Sequence, residues 1–258
     1  YDPNDWWNAV KNTLRRVIST AKVDAKRIAG VGVSGLGCCP VPMDEKGGLL
    51  YNALPWSDLR AQKETDFLMS NCRDELQRAC GLTPTALNTI PHLLWIRNER
   101  PDIYKKLYKF TESSGFIIQR LTGEFILDLA SASFVEYGIN LRTLDYDKGL
   151  IKAMQLDFEK FPRLLPNAKA AGTVTRQAAA ETGLEEGTPV ACGGNDLPAG
   201  AVGSGALHSG QAFYYSGTGS NATVLTDKLL TTSPHLLHCL CTHDPKVKML
   251  DGVQGSVG

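Results

Sequence analysis

An acid and a glycine-rich turn lie within one short stretch, residues 192–219, and the pair suits phosphate chemistry. The acid is Asp196, preceded by Gly193-Gly194-Asn195 and followed by Leu197-Pro198-Ala199. Residues 188–192, Thr-Pro-Val-Ala-Cys, read as a short buried strand, and the glycine pair lets the backbone turn sharply at its end. Asp196 is then expected at a helix N-terminus. Unpaired amides and the positive end of the helix dipole stabilise a carboxylate there, and the same geometry favours phosphate oxygens. A second strand over 211–215 leads into Ser216-Gly217-Thr218-Gly219-Ser220, where the glycines let amides converge on an anion and Thr218 adds a hydroxyl. Singly, an Asp at a helix start is most often a cap and Gly-Thr-Gly most often a turn. Their succession is what points to an acid brought up to a phosphate.

The elements that must position these residues are legible upstream. Asp2-Pro3-Asn4-Asp5-Trp6-Trp7 opens a helix, with Pro3 suited to its first turn and Asp2 and Asp5 to its positive end. Trp7, Val10, Leu14 and Val17 are its expected buried stripe. Residues 28–34 alternate as a strand, and 41–44 and 49–53 flank the turn Glu45-Lys46-Gly47-Gly48. Between the first strand and this hairpin lies Gly35-Leu36-Gly37-Cys38-Cys39; after the hairpin comes Pro55-Trp56-Ser57-Asp58-Leu59-Arg60-Ala61.

This order of motifs resembles the FGGY family of carbohydrate kinases along nearly the whole chain. The matching segments include Trp56-Ser57-Asp58-Leu59-Arg60, Leu93-Leu94-Trp95-Ile96-Arg97, Leu121-Thr122-Gly123-Glu124, Asp128 with Ala130-Ser131-Ala132-Ser133, and Gly193-Gly194-Asn195-Asp196. The resemblance implies an α/β fold, a ribonuclease-H-like, actin-like ATPase domain whose mixed β-sheet is flanked by helices. It implies transfer of the γ-phosphate of ATP, with Mg2+, to a sugar or polyol hydroxyl. Asp196 would be the general base, and Gly217, Thr218 and Gly219 would meet the ATP phosphates. Trp56, Gly37, Cys38 and Asp196 would face the substrate, and no metal ligand of the chain itself is implied. Trp56 matches the Trp of the family's Trp-x-x-x-Arg element and is as much a candidate for the core as for the sugar wall. Asp58 and Arg60 are expected to fix that loop through an ion pair.

Departures from the family bear on specificity. His92 stands where relatives usually have Lys, and Gly115-Phe116 where they have Asp-Tyr. Gly35-Leu36-Gly37-Cys38-Cys39 lacks the polar residues typical of glycerol and xylulose kinases at that wall, and Leu197 replaces a frequent Asn or Gln. A site without a hydrogen-bonding partner for a hydroxyl discriminates weakly for it, so neither of those two specificities is favoured. The family's opening Asp-x-Gly-Thr-Thr hairpin has no counterpart here, and its second domain is only begun. The chain is therefore read as a portion of a longer enzyme: 1–206 as the sugar-binding domain without its opening hairpin, 207–258 as the beginning of the nucleotide-binding domain, and the portion alone as inactive. A non-catalytic actin-fold relative that binds a sugar or a protein is the alternative.

Composition narrows the classes without naming one. The chain has 258 residues, 43% hydrophobic and 21% charged, with formal net charge zero, which suits a sizeable core and small uncharged substrates better than nucleic acid or a membrane. No apolar run spans a bilayer and no leader opens the chain, so cytoplasm is the expected compartment, and a homodimer the expected assembly. Seven cysteines at irregular spacing suit reduced thiols better than a disulfide framework. Some patterns imitate other sites. Gly30-x-Gly32-x-x-Gly35 resembles a dinucleotide fingerprint, but Pro40 and Pro42 prevent a following helix. His235, His238, Cys239, Cys241 and His243 resemble a metal cluster, yet strand alternation would split Cys239 and Cys241 from His238. Cys38 and Cys39 resemble a redox pair, but neighbours on an extended segment point to opposite faces.

Overall fold

A computed structural model describes residues 1–81, 83–134, 138–216, 220–231 and 237–254, with the side chains of Phe134, 237–241 and 253–254 left aside. Its first half runs α1 (Pro3–Ala21), β1 (Ser34–Gly35), β2 (Val41–Met43), α2 (Gln62–Asn71), α3 (Arg73–Cys80), α4 (Thr89–Glu99), α5 (Pro101–Lys106), β3 (Lys109–Thr111), α6 (Ser113–Thr122), β4 (Ile126–Asp128) and α7 (Leu129–Phe134). Then follow β5 (Ile139–Asn140), β6 (Asp145–Tyr146), α8 (Lys148–Ala153), β7 (Arg163–Leu165), β8 (Ala170–Thr173), α9 (Arg176–Thr182), β9 (Pro189–Ala191), β10 (Gly194–Asn195) and α10 (Asp196–Gly203). The last elements are β11 (Ala212–Ser216), β12 (Ser220–Thr226), β13 (Leu237–Cys241) and β14 (Lys248–Gln254), joined as an antiparallel sheet in the order β11-β12-β14-β13. Parallel pairs (β1 with β10, β4 with β7) stand beside antiparallel ones (β2 with β3, β8 with β9), so the α/β expectation with mixed pairing holds.

Local rules account for the opening. The Asp2 carboxylate accepts the Asn4 N–H at 2.9 Å, Pro3 occupies the first turn, and Trp7 is buried. Val17 is not part of the stripe: it is 57% exposed, and Ile18 packs against the core in its place. The inward face of α1 is centred on Trp7, Leu14 and Ile18, which leaves Val17 at its rim. Two larger core clusters, beside a small one of Leu54, Ile96 and Ile103, hold the elements together. One gathers α1, α6 and α9 around Val41, Phe116 and Val190; the other gathers α3 and α4 with Phe110, Leu127 and Leu197.

The strand expected over 28–34 is interrupted. Val31 bridges Val190, and the ladder resumes only at Ser34 with Gly194. Between those pairings one strand advances by three residues and the other by four, so the second carries an extra residue, a bulge. Gly193 sits in that bulge with φ +65°, and a Cβ there would lie 1.9 Å from the Val33 carbonyl oxygen, so only glycine fits.

Candidate functional site

The bulge decides where Asp196 emerges. Because Gly35 pairs with Asn195 in parallel, the residues after Gly35 and those after Asn195 leave the sheet at the same end. Ligands of open α/β sheets gather outside such carboxyl ends. Leu36, Gly37 and Cys38 therefore exit beside Asp196, the first residue of α10. Asn195 contributes no side-chain cap, while Leu197, Pro198 and Ala201 bury the inner face of the helix. Asp196 itself is exposed, yet the protein around its carboxyl desolvates it and pushes its pKa above the ordinary carboxylate value, against the Leu197 amide, its own amide and the Tyr215 hydroxyl, which pull the other way. Tyr215 Oη lies 3.5 Å from Asp196 Oδ2, and the Asp196 charge in turn raises the Tyr215 pKa. A cleft of about 310 Å3 opens beside the same turn, lined by Val33, Ser34, Asn167, Gly193, Gly194 and Pro198 among others.

Tyr215, which motif reading passed over, stands beside Asp196. The signal was available: in β11 alternate residues are half-buried, and Phe213 and Tyr215 both turn toward Gly200 of α10. Gly217, Thr218 and Gly219 lie outside the described residues; the flanking Ser216 and Ser220 are paired across β11 and β12.

The segment 36–39 is bracketed by α6. Ser113 Oγ donates to the Leu36 carbonyl at 2.7 Å, and the fully buried Glu112 carboxylate accepts the Cys39 N–H at 2.6 Å and the Thr89 hydroxyl at 2.7 Å. Glu112 is a second residue that motif reading passed over, and unlike Tyr215 it has no sequence signal, since nothing in its neighbours marks a buried acid. Gly37 is buried, and Cys38, at φ +53°, turns its side chain into one core cluster while Cys39 enters the other. The two thiols thus face opposite ways as expected, though Cys38 is left-handed rather than extended. Burial pushes the Cys39 thiol upward, and Cys38, Cys39, Cys72, Cys80 and Cys192 form no disulfide. After Gly35 the chain reaches the strand Val41–Met43 with no helix between, so the dinucleotide pattern has no helix to serve.

Trp56 rides on a loop held from α4. His92 is completely buried; its Nε2 lies 2.7 Å from the Asp58 carbonyl oxygen and donates to it, and burial lowers its pKa, so the neutral ring makes this bond. The Asp58 and Arg60 pair closes at 2.8 Å, the Arg60 guanidinium lies 4.8 Å from the Trp95 ring centre, and the hydrogen bond from Arg60 lowers the Asp58 pKa. Trp56 and Leu59 remain 36% and 60% exposed on this fixed loop, so Trp56 is a surface aromatic rather than a core one. In the remaining decoy, β13 is a strand as expected, while His235 and the side chains of His238, Cys239 and Cys241 lie outside the described residues. Among the described residues no group of three His, Cys, Asp or Glu gathers as a metal site, and no helix is long and apolar enough to cross a membrane.

The signature of the N-terminal domain of the FGGY family of carbohydrate kinases matches residues 1–203. Glycerol kinase of Thermococcus kodakarensis is 26% identical over 241 residues, 92% of this chain and 47% of that protein. Autoinducer-2 kinase of Yersinia pseudotuberculosis is 30% identical over 221 residues, 84% of this chain and 41% of that protein. The chain thus spans about half the length of the curated relatives it matches. Among solved structures, xylulose kinase from Rhodospirillum rubrum superimposes with a TM-score of 0.90 at 25% identity, covering 99% of this chain and 52% of that one. Plasmodium falciparum glycerol kinase with ADP gives 0.87 at 19% identity over 99% of this chain and 53% of that one, a likeness of fold. The architecture is accordingly that of these sugar kinases, an actin-like ATPase fold.

Proposed function

We propose, from the premise that this chain belongs to the FGGY family of carbohydrate kinases, that the whole protein phosphorylates a hydroxyl of a sugar or polyol at the expense of ATP. The observation that carries the reading is Asp196: a carboxylate at the head of α10, 3.5 Å from the Tyr215 hydroxyl, at the end of the sheet where Gly37 and Cys38 also emerge. Desolvation moves its pKa toward the range in which a carboxylate is an effective base. In this role Asp196 accepts the proton of the attacking hydroxyl, and Tyr215 steadies the carboxylate through Oδ2. Trp56 offers an apolar face to the carbon side of the substrate, and the backbone of Gly37 and Cys38 forms the opposite wall. Gly217, Thr218 and Gly219 are assigned to the phosphates of ATP.

ATP supplies the transferred phosphoryl group, and Mg2+ neutralises the charge that develops on it. The amides at the head of α10 suit phosphate oxygens, and Mg2+ would be held mainly by those phosphates and by water, because it usually keeps several waters and takes few protein ligands. The boundary near residue 206, a cytoplasmic setting and a homodimer complete the reading.

The test is an ATP-consumption screen of the full-length protein against ketoses, aldoses and polyols, with Asp196→Asn alongside. One substrate should drive turnover that the variant loses by about 10^2 to 10^4, the usual worth of a positioned base. No ATP consumption with any sugar would hand the function to a non-catalytic relative of the actin fold.

A further inference from the structure

Asp196 is only as well placed as the bulge that delivers it, and the bulge is gripped by Asn167 and Asp128. Asn167 follows β7, and Asp128 ends β4, its parallel partner; Asp128 pairs with Leu165, so both side chains stand at the same end of that pair. Asn167 holds Gly193 twice. Its main-chain carbonyl oxygen accepts the Gly193 N–H at 3.0 Å, and its side-chain Nδ2 donates to the Gly193 carbonyl at 2.6 Å. The same Nδ2 donates to Asp128 Oδ1 at 2.8 Å, while Oδ1 of Asn167 accepts the Ala130 N–H at 3.3 Å. With donors and acceptor all engaged, the amide has one orientation. Asp128, 2% exposed, is itself held by the Ser131 N–H at 2.8 Å. Gly194 lies against both: a Cβ there would sit 2.6 Å from Asn167 Nδ2 and 3.1 Å from Asp128 Oδ1.

We propose that the Asn167 side chain, oriented by Asp128, is a positioning group for Asp196: its Nδ2 holds the Gly193 carbonyl, beside the main-chain bond that takes the Gly193 N–H, and thereby sets where the head of α10 presents its carboxylate. The inference rests on the reading in which Asp196 accepts the hydroxyl proton. Asn167 acts through backbone three residues before the acid, so its loss shifts the base and leaves the sugar and ATP contacts in place. A shift of about 1 Å at a reacting group can cost about a hundredfold in rate.

The experiment is a double-mutant cycle in the full-length protein. Asn167→Ala is expected to lower kcat about 10- to 100-fold, with KM for sugar and for ATP staying within about threefold. In the Asp196→Asn background the same change should cost almost nothing more, because residues that act as one unit are not additive. A folded Asn167→Ala enzyme with full kcat beside a crippled Asp196→Asn overturns the clamp alone, as do losses that multiply. An Asp196→Asn enzyme with undiminished kcat overturns the base assignment and the clamp with it. Should Asn167→Ala not fold, Asn167→Ser, which keeps one short donor, takes its place in the cycle with a loss of several-fold expected, and full kcat there again overturns the proposal.

Discussion

Asp128→Asn tests how the interior beneath the glycine turn handles charge. Asp128 is 2% exposed, and burial raises its carboxyl pKa from 3.8 to about 6, against the hydrogen bonds from Ser131 and Asn167 that pull it down. The sign follows from proton counting. The folded protein holds this proton up to about pH 6 and the unfolded chain only to about 4, so stability falls as pH rises through that window and is flat above it. At about 1.4 kcal/mol per pKa unit, ionising Asp128 in place costs the folded state about 3 kcal/mol at neutral pH. Asparagine keeps the Oδ1 that accepts from Ser131 and Asn167 and removes the charge, but it adds an amide donor whose lack of a partner costs about 1–2 kcal/mol. The variant should therefore be about 1–2 kcal/mol more stable than the parent at pH 7.5 and less stable at pH 4. The difference between the two proteins should swing by about 3 kcal/mol across that range. Urea unfolding of both proteins at intervals from pH 4 to 8 reads it, and taking the difference cancels every other titrating group. A difference that stays constant with pH would refute the argument, since it would mean that the Asp128 carboxylate pays no desolvation cost.

The remaining expectations concern the turn and the wall. Gly193→Ala must place a Cβ against the Val33 carbonyl at a left-handed φ; strain and overpacking together should cost about 3 kcal/mol or more, a fall in Tm of at least about 6 °C by calorimetry. An unchanged Tm would show that the bulge relaxes freely. Trp56→Ala, at an exposed position, should leave Tm nearly unchanged and raise KM for the sugar about tenfold through the lost stacking face, with KM for ATP unaffected. An unaltered sugar KM would place the wall elsewhere.

What the sequence determined by itself was whatever local chemistry dictates. Asp2-Pro3 opens a helix because a cap and a fixed φ act within a few residues, and Gly193-Gly194-Asn195-Asp196 announces a turn into a helix for the same reason. The Asp58 and Arg60 pair, two residues apart, was likewise within reach of local reasoning. Motif order carried the family. The tertiary structure decided what depends on residues distant along the chain. Val17 yields its place to Ile18 because the surface that α1 meets, and not the helical period alone, selects the inward face. The interruption of the first strand became visible only once Val31 and Ser34 were paired across a partner with one residue more. Glu112 reaches Cys39 across 73 positions and Asn167 reaches Gly193 across 26, and both are polar residues in unremarkable surroundings whose roles come from the groups burial forces them to satisfy. Hydrogen-bonding need inside a core is set by three-dimensional neighbours, so the place of Asp196 at a helix head was readable from its motif, and the hydrogen bonds that hold the turn before it were not.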